Sequence, residues 1–170
     1  VLESCRNTHS VKAIVNITSD KCYDNKEWVW GYRENDPMGG LDPYSASKGC
    51  AELVANSYRN SYFNLQNYKN KHNTLLASCR AGNVIGGGDW AEDRLIPDII
   101  KSIKRGDTLK IRNPKSTRPW QHVLEPLSGY LLIGQKLLEE KPEFAEGWNF
   151  GPSDSEPVTV KEIVNRIQKI

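Results

Sequence analysis

The chain has 170 residues, enough to enclose one hydrophobic core, and its 38% hydrophobic and 26% charged residues are the proportions of a globular protein. A net charge of +2 is too small to mark a nucleic-acid binder, and the one local excess of base, residues 101–118, reads as a solvated helix face and loop with Arg118 set apart. No run of about 18 apolar residues occurs and no signal-peptide pattern precedes the first strand, so neither a membrane span nor a membrane partner is expected.

Residues 1–10 read as a helix end and loop. Residues 11–18 (VKAIVNIT) are apolar, β-branched and short, which predicts a strand buried on both faces of a parallel sheet. Thr18-Ser19-Asp20-Lys21 then falls at the strand's carboxyl end, the edge where open α/β sheets bind ligands. Residues 22–42 hold Gly31, Pro37, Gly39 and Gly40 and read as an irregular loop. Pro43 suits a first helical turn, and a helix is predicted over 44–62 with Ala46, Leu53, Val54 and Tyr58 as packing positions.

Residues 64–73 form a polar connection, and 74–81 (TLLASCRA) a second strand. A glycine-rich loop follows over 82–90. Residues 93–105 predict an amphipathic helix stopped by Gly106. Short strands are expected at 109–111, 118–123 and 148–150, and a helix at 126–138. Thr159 opens a last helix, with Glu162 in capping-box spacing. Strands alternating with crossover elements predict an α/β fold.

Tyr44 and Lys48 stand four apart and share a helical face. An ammonium one turn away stabilises a phenolate, which lets a tyrosine serve as a base near neutral pH. Ser19 supplies a hydroxyl that can hold a substrate alcohol while Tyr44 takes its proton. That arrangement suits hydride transfer to a nicotinamide. Cys5, Cys22, Cys50 and Cys79 lack CxxC spacing and read as reduced thiols of a cytoplasmic protein. His9, His72 and His122 are scattered, so no metal site is expected. Asn16-Ile17-Thr18 matches a glycosylation sequon but lies in a strand expected to be buried.

The stretches ITSDKCYDN, DPYSASKGCAELV, RAGNVIGGGDWAEDRLIPDI, STRPWQHVLEPLSGYL and WNFGP, in that order and spacing, resemble the extended short-chain dehydrogenases/reductases that modify nucleotide sugars. Within that branch they are most similar to the CDP-glucose 4,6-dehydratases. The resemblance implies the later part of a Rossmann-type parallel sheet domain plus a smaller substrate-binding lobe. Residues 1–81 would be the C-terminal part of the NAD-binding domain. Residues 82–170 would be the nucleotide-sugar lobe, with some segments returning to the sheet.

The resemblance further implies NAD as cofactor, CDP-glucose as substrate and a homodimer. Tyr44 would take the C4 hydroxyl proton while hydride moves to NAD; Lys48 would bind the nicotinamide ribose; Ser19 would hold the C4 oxygen. Asp20 would protonate the departing C6 hydroxyl. Related dehydratases carry Glu where Lys21 stands, so Lys21 is either the C5 base or an electrostatic stabiliser of the enolate. Asn83, Arg94, Leu95, Arg118 and Asn149 match substrate contacts, with Arg118 on the diphosphate. Gly86-Gly87-Gly88-Asp89-Trp90-Ala91 formally fits G-x-G-x-x-A, but the resemblance places it beside the substrate and expects the cofactor's glycine-rich turn upstream of Val1. Two alternatives stand beside dehydration: an epimerase or reductase of the same superfamily, and, for this stretch alone, a non-catalytic nucleotide-sugar-binding half.

Overall fold

The computed structural model describes residues 1–152 and 158–169. In chain order the elements are α1 (Leu2–Arg6), β1 (Ala13–Ile17), a 3₁₀ turn (Asp20–Cys22), α2 (Pro43–Ser61), β2 (Leu75–Ala81), β3 (Val84–Ile85), α3 (Leu95–Arg105), β4 (Gln121–His122), α4 (Leu124–Leu138), β5 (Gly147–Phe150) and α5 (Val160–Ile167), with two further 3₁₀ turns at Leu65–Asn67 and Pro142–Phe144. The chain forms two compact units: Val1–Ala81 with Glu125–Phe150, and Gly82–Leu124 with Gly151–Ile170.

The first unit is α/β. Its sheet runs β1-β2-β5, every neighbouring pair parallel, with Ala13 opposite Leu75 and Ser78 opposite Gly147. Parallel strands need a crossover, and α2 supplies the one between β1 and β2. The central strand β2 is buried from Leu75 through Arg80. Its side chains alternate between two layers, as the period of two requires. Leu75, Ala77 and Cys79 pack with Ile133 and Leu137 of α4 and with Ala145. Leu76 packs on the other side with Ala55 of α2 and Phe63. Each fully buried leucine here contributes on the order of 2 kcal/mol.

The α2-facing side is graded along the strands. Ile14 and Leu76 begin it; Asn16 and Ser78 follow, joined at 3.4 Å; Thr18 and Arg80 end it. Arg59 of α2 donates to the Leu76 carbonyl at 3.0 Å and to Ser78 Oγ at 3.3 Å, so the polar middle of this layer is satisfied. The polarity rises toward the carboxyl ends of the strands, where Ser19 and Asp20 sit.

α2 departs from expectation in part: Tyr58 packs against the Leu76 cluster and Ala46 is half-buried, but Leu53 and Val54 do not pack inward. Its buried positions are Ser45, Gly49, Glu52 and Ala55, whereas Leu53 and Val54 are 57% and 50% exposed. The close approach explains the choice: a Cβ on Gly49 would lie 2.8 Å from the Gly39 carbonyl oxygen and 3.3 Å from that of Cys22. β1 is half-buried rather than enclosed, because it stands at one end of the three-stranded order. Residues 109–111 form no strand; Lys110 between two half-buried apolar residues finds no pairing partner among the described residues.

In the second unit, β3 pairs with β4 in parallel. α3 buries Pro97 and Ile99 and ends at Gly106, whose φ of 70° is the left-handed cap expected of it. Thr159 and Glu162 form the capping box of α5: Thr159 Oγ1 accepts from the Glu162 amide at 3.2 Å, and the Glu162 carboxylate accepts from the Thr159 amide at 2.7 Å. No helix among the described residues is long and apolar enough to cross a membrane.

All four cysteines are free. Burial pushes the Cys22 and Cys79 thiols up to about 12. Only thiolate reacts with alkylating agents, and at pH 8 such a thiol is ionised to roughly one part in ten thousand. Cys22 and Cys79 are therefore expected to resist iodoacetamide in the native protein and to react once urea unfolds it. Equal labelling in both states, read by peptide mass spectrometry, would contradict this burial.

Candidate active site

The end of β1 is built by its own side chains. The Thr18 amide donates to the Cys79 carbonyl at 2.9 Å, carrying the ladder one residue past the strand. Ser19 then caps the 3₁₀ turn: its Oγ accepts from the Lys21 amide at 3.2 Å and donates to Asp20 Oδ1 at 3.1 Å. Lys21 Nζ is 3.8 Å from Asp20 Oδ2, with the two side chains 45% and 31% exposed. A pair so open to water is worth at most about 1 kcal/mol, so Asp20 remains available to another partner.

α2 starts on Asp42, whose carboxylate accepts from the Tyr44 and Ser45 amides, both at 3.0 Å, and from Ser45 Oγ at 2.6 Å. Those donors hold the Asp42 carboxyl below its ordinary range, the Ser45 hydroxyl foremost. Pro43 occupies the first turn, as its fixed φ and missing N–H favour. Lys48 Nζ lies 5.7 Å from the centroid of the Tyr44 ring. Neither the Tyr44 hydroxyl nor the Lys48 ammonium has a hydrogen-bond partner among the described residues. The helix bearing them packs against the turn bearing Ser19, Asp20 and Lys21. The first unit thus brings all five catalytic candidates onto two touching elements.

Behind them lies a buried network. Thr18 Oγ1 donates to the Glu52 carboxylate, and Arg80 Nη2 binds the same carboxylate at 2.8 Å. Arg80 Nη1 donates to Tyr23 Oη at 2.7 Å and to the Glu34 carbonyl at 2.9 Å. Tyr23 donates onward to Asn149 Oδ1 at 2.7 Å. Burial works against the Arg80 charge, but the Glu52 hydrogen bond and charge outweigh it, and the guanidinium pKa is held above its ordinary value. Burial raises the Tyr23 phenol, with Arg80 opposing. Gly147 leaves room for the guanidinium, since a Cβ there would sit 2.6 Å from Arg80 Nη2.

Asn149, expected as a substrate contact, belongs to this network: its Nδ2 also donates to the Tyr32 carbonyl at 3.0 Å. Both ends of its amide are engaged within the first unit. Sequence reasoning missed Glu52, Arg80 and Tyr23. The signals were present: Glu52 continues the four-residue spacing of Tyr44 and Lys48, and Arg80 is the one charged residue in a buried strand.

The remaining candidates lie on the second unit. Asn83 precedes β3, and its carbonyl accepts from the Gln121 amide at 3.2 Å. Arg94 caps α3 and Leu95 begins it. Arg118 Nη1 donates to the Thr117 carbonyl at 2.7 Å, and its backbone N–H to the Val158 carbonyl at 3.4 Å. Arg94 and Arg118 are both exposed and have no carboxylate partner among the described residues. In the Gly86–Ala91 stretch, Gly86 is the tight position, where a Cβ would lie 2.5 Å from Val123 Cγ1. Helix α3 begins only at Leu95, several residues later, unlike a dinucleotide loop that runs straight into its helix.

Residues 1–145 match the NAD dependent epimerase/dehydratase family. The chain belongs to that family. Over 167 residues it is 64% identical to CDP-glucose 4,6-dehydratase of Salmonella typhimurium, covering 98% of this chain and 46% of that protein. Among solved family structures, dTDP-glucose 4,6-dehydratase from Bacillus anthracis in complex with NAD superposes with a TM-score of 0.80 at 22% identity, over 99% of this chain and 48% of that one. UDP-N-acetylglucosamine 4-epimerase from Methanobrevibacter ruminantium superposes with a TM-score of 0.78 at 19% identity, over 98% of this chain and 49% of that one. The chain therefore spans about half the length of these relatives. The two structures establish the shared family fold.

Proposed function

We propose that the full-length protein dehydrates CDP-glucose to CDP-4-dehydro-6-deoxyglucose in an NAD-dependent cycle, within deoxysugar biosynthesis in the cytoplasm. The observation that carries the chemistry is the Ser19–Asp20 turn packed against the helix of Tyr44 and Lys48. The identity of the nucleotide is supported by the 64% identity to the Salmonella enzyme.

NAD fits the first unit: the Lys48 ammonium and Tyr44 hydroxyl, which have no hydrogen-bond partner among the described residues, are donors suited to ribose hydroxyls. NAD, when bound, would supply a hydride acceptor for C4 oxidation and the hydride that ends on C6. Tyr44 removes the proton of the C4 hydroxyl while Ser19 Oγ holds that oxygen. With C4 a ketone, the C5 proton becomes acidic. Asp20, within hydrogen-bond reach of Ser19, gives a proton from its carboxylic acid form to the C6 hydroxyl, which departs as water. Lys21 serves at C5, as base or as the cation that steadies the enolate. On the second unit, Arg118 is assigned to the diphosphate, a task for a planar two-pronged donor, and Asn83, Arg94 and Leu95 to the rest of the nucleotide sugar. Asn149 is assigned a supporting contact through its place in the network. A homodimer through α2 belongs to this reading, supported by the exposed Leu53 and Val54.

The test is to incubate full-length protein with NAD and CDP-glucose and to seek, by mass spectrometry, a product lighter by one water. Asp20→Asn should slow elimination by about 10²-fold or more while C4 oxidation continues. Unchanged turnover in Asp20→Asn would favour an epimerase or reductase. Dehydration of another nucleotide sugar in place of CDP-glucose would refute the substrate assignment.

A further inference from the structure

Tyr44, Lys48 and Glu52 follow one another at four-residue steps along α2 and share one of its faces. Tyr44 is exposed and Lys48 half-buried, whereas Glu52 is 4% exposed and paired with Arg80. The same pair grips the catalytic turn at both ends. Thr18, the residue before Ser19, donates to Glu52; Tyr23, the residue after the turn, accepts from Arg80 at 2.7 Å. One buried carboxylate–guanidinium unit is therefore bonded to each flank of the turn and is rooted in the helix that bears Tyr44 and Lys48.

We propose that Glu52 and Arg80 are positioning residues that fix the Ser19–Asp20 turn in register with the Tyr44–Lys48 face, with Thr18 and Tyr23 as the links. A buried ion pair is an inefficient source of stability, because desolvation offsets most of its attraction. Its hydrogen bonds are directional, however, and hold their partners at fixed distance and angle. A misplacement of about 1 Å between reacting groups costs on the order of 10²-fold in rate. The function of the positioned groups rests on the dehydratase reading above; the positioning itself does not.

The experiment uses Thr18→Val in the full-length protein, which keeps the side chain's size and deletes its bond to Glu52, with Thr18→Ser as the rescue. Tyr23→Phe repeats the test from the other flank by removing one oxygen. Each deletion should lower kcat by about 10- to 100-fold, with KM for CDP-glucose and for NAD within about twofold and the melting temperature down by only a few degrees, the cost of one buried hydrogen bond. Thr18→Ser should recover most of the loss. Independently of any substrate, the Lys21 and Cys22 amides, which donate to Ser19 Oγ and Ser19 O, should exchange with solvent at least about tenfold faster, while β2 amides keep their rates. Unchanged exchange at those amides overturns the proposal, as does a local change that leaves kcat intact. Acceleration spread evenly through β2 with a melting temperature lowered well beyond that also overturns it, by showing a general stabilising role. If wild-type protein fails to dehydrate CDP-glucose and yet exchange loosens only around the turn, the functional reading falls and the positioning stands.

Discussion

Arg80→Met is expected to destabilise the fold by about 3–5 kcal/mol, the usual cost of leaving one partner of a buried ion pair alone. The side chains of Arg80 and Glu52 are 5% and 3% exposed, so solvent does not screen the loss. Without the guanidinium, the Glu52 carboxylate keeps the Thr18 hydroxyl and, among the described residues, only the charge of Arg59, which makes no ion pair with it. Tyr23 loses its donor and the Glu34 carbonyl loses another. Urea unfolding should show a lower midpoint with an unchanged slope, since the surface exposed on unfolding is the same. Removing both charges, as in Arg80→Met with Glu52→Leu, should restore much of the loss, because no stranded charge remains. A single-variant loss below about 1 kcal/mol would mean that water reaches the carboxylate.

Tyr44→Phe is expected to separate chemistry from folding even more sharply. The Tyr44 ring is 56% exposed and its hydroxyl has no hydrogen-bond partner among the described residues, so the deleted oxygen supports nothing in the fold. Stability should change by no more than about 0.5 kcal/mol. In the full-length protein, turnover of CDP-glucose should fall by about 10²- to 10⁴-fold, the range for loss of a general base, with little effect on KM. A variant that retained more than a tenth of wild-type kcat would remove Tyr44 from the proton path.

The elements that sequence reasoning placed well are those whose signals are local. β2 announced itself by a short apolar run, α3 by its amphipathic spacing and Gly106, and α5 by its capping box. The α/β class followed from strand, crossover, strand. The packing face of α2 was misjudged at Leu53 and Val54 for a physical reason. Periodicity ranks residues by their individual preference for water, and that ranking puts Leu53 and Val54 inside and Glu52 outside. The fold does the reverse, because Glu52 meets a cation more than two dozen residues away in sequence, and because the helix must come close enough to need Gly49. Pairing energy and backbone clearance are properties of two segments together, and a single window contains only one of them. The short strand expected at 109–111 failed similarly: its residues are suited to a strand, but strand formation needs a neighbour. The candidate site was legible where its residues lie close in sequence, as with Ser19-Asp20-Lys21 and Tyr44-x-x-x-Lys48, and the buried network behind it was not.

The graded layer between α2 and the sheet bears on how this protein can be altered. At its Leu76 end, partners are interchangeable greasy shapes, and single substitutions of similar volume are tolerated. At its Arg80 end, Thr18, Glu52, Arg80 and Tyr23 are joined by specific hydrogen bonds, so changes succeed only as matched sets. Efforts to raise heat resistance should therefore work from the greasy end and leave the other alone. A drifting lineage would face the same asymmetry, free to wander in one half of the layer and obliged to move in concert in the other.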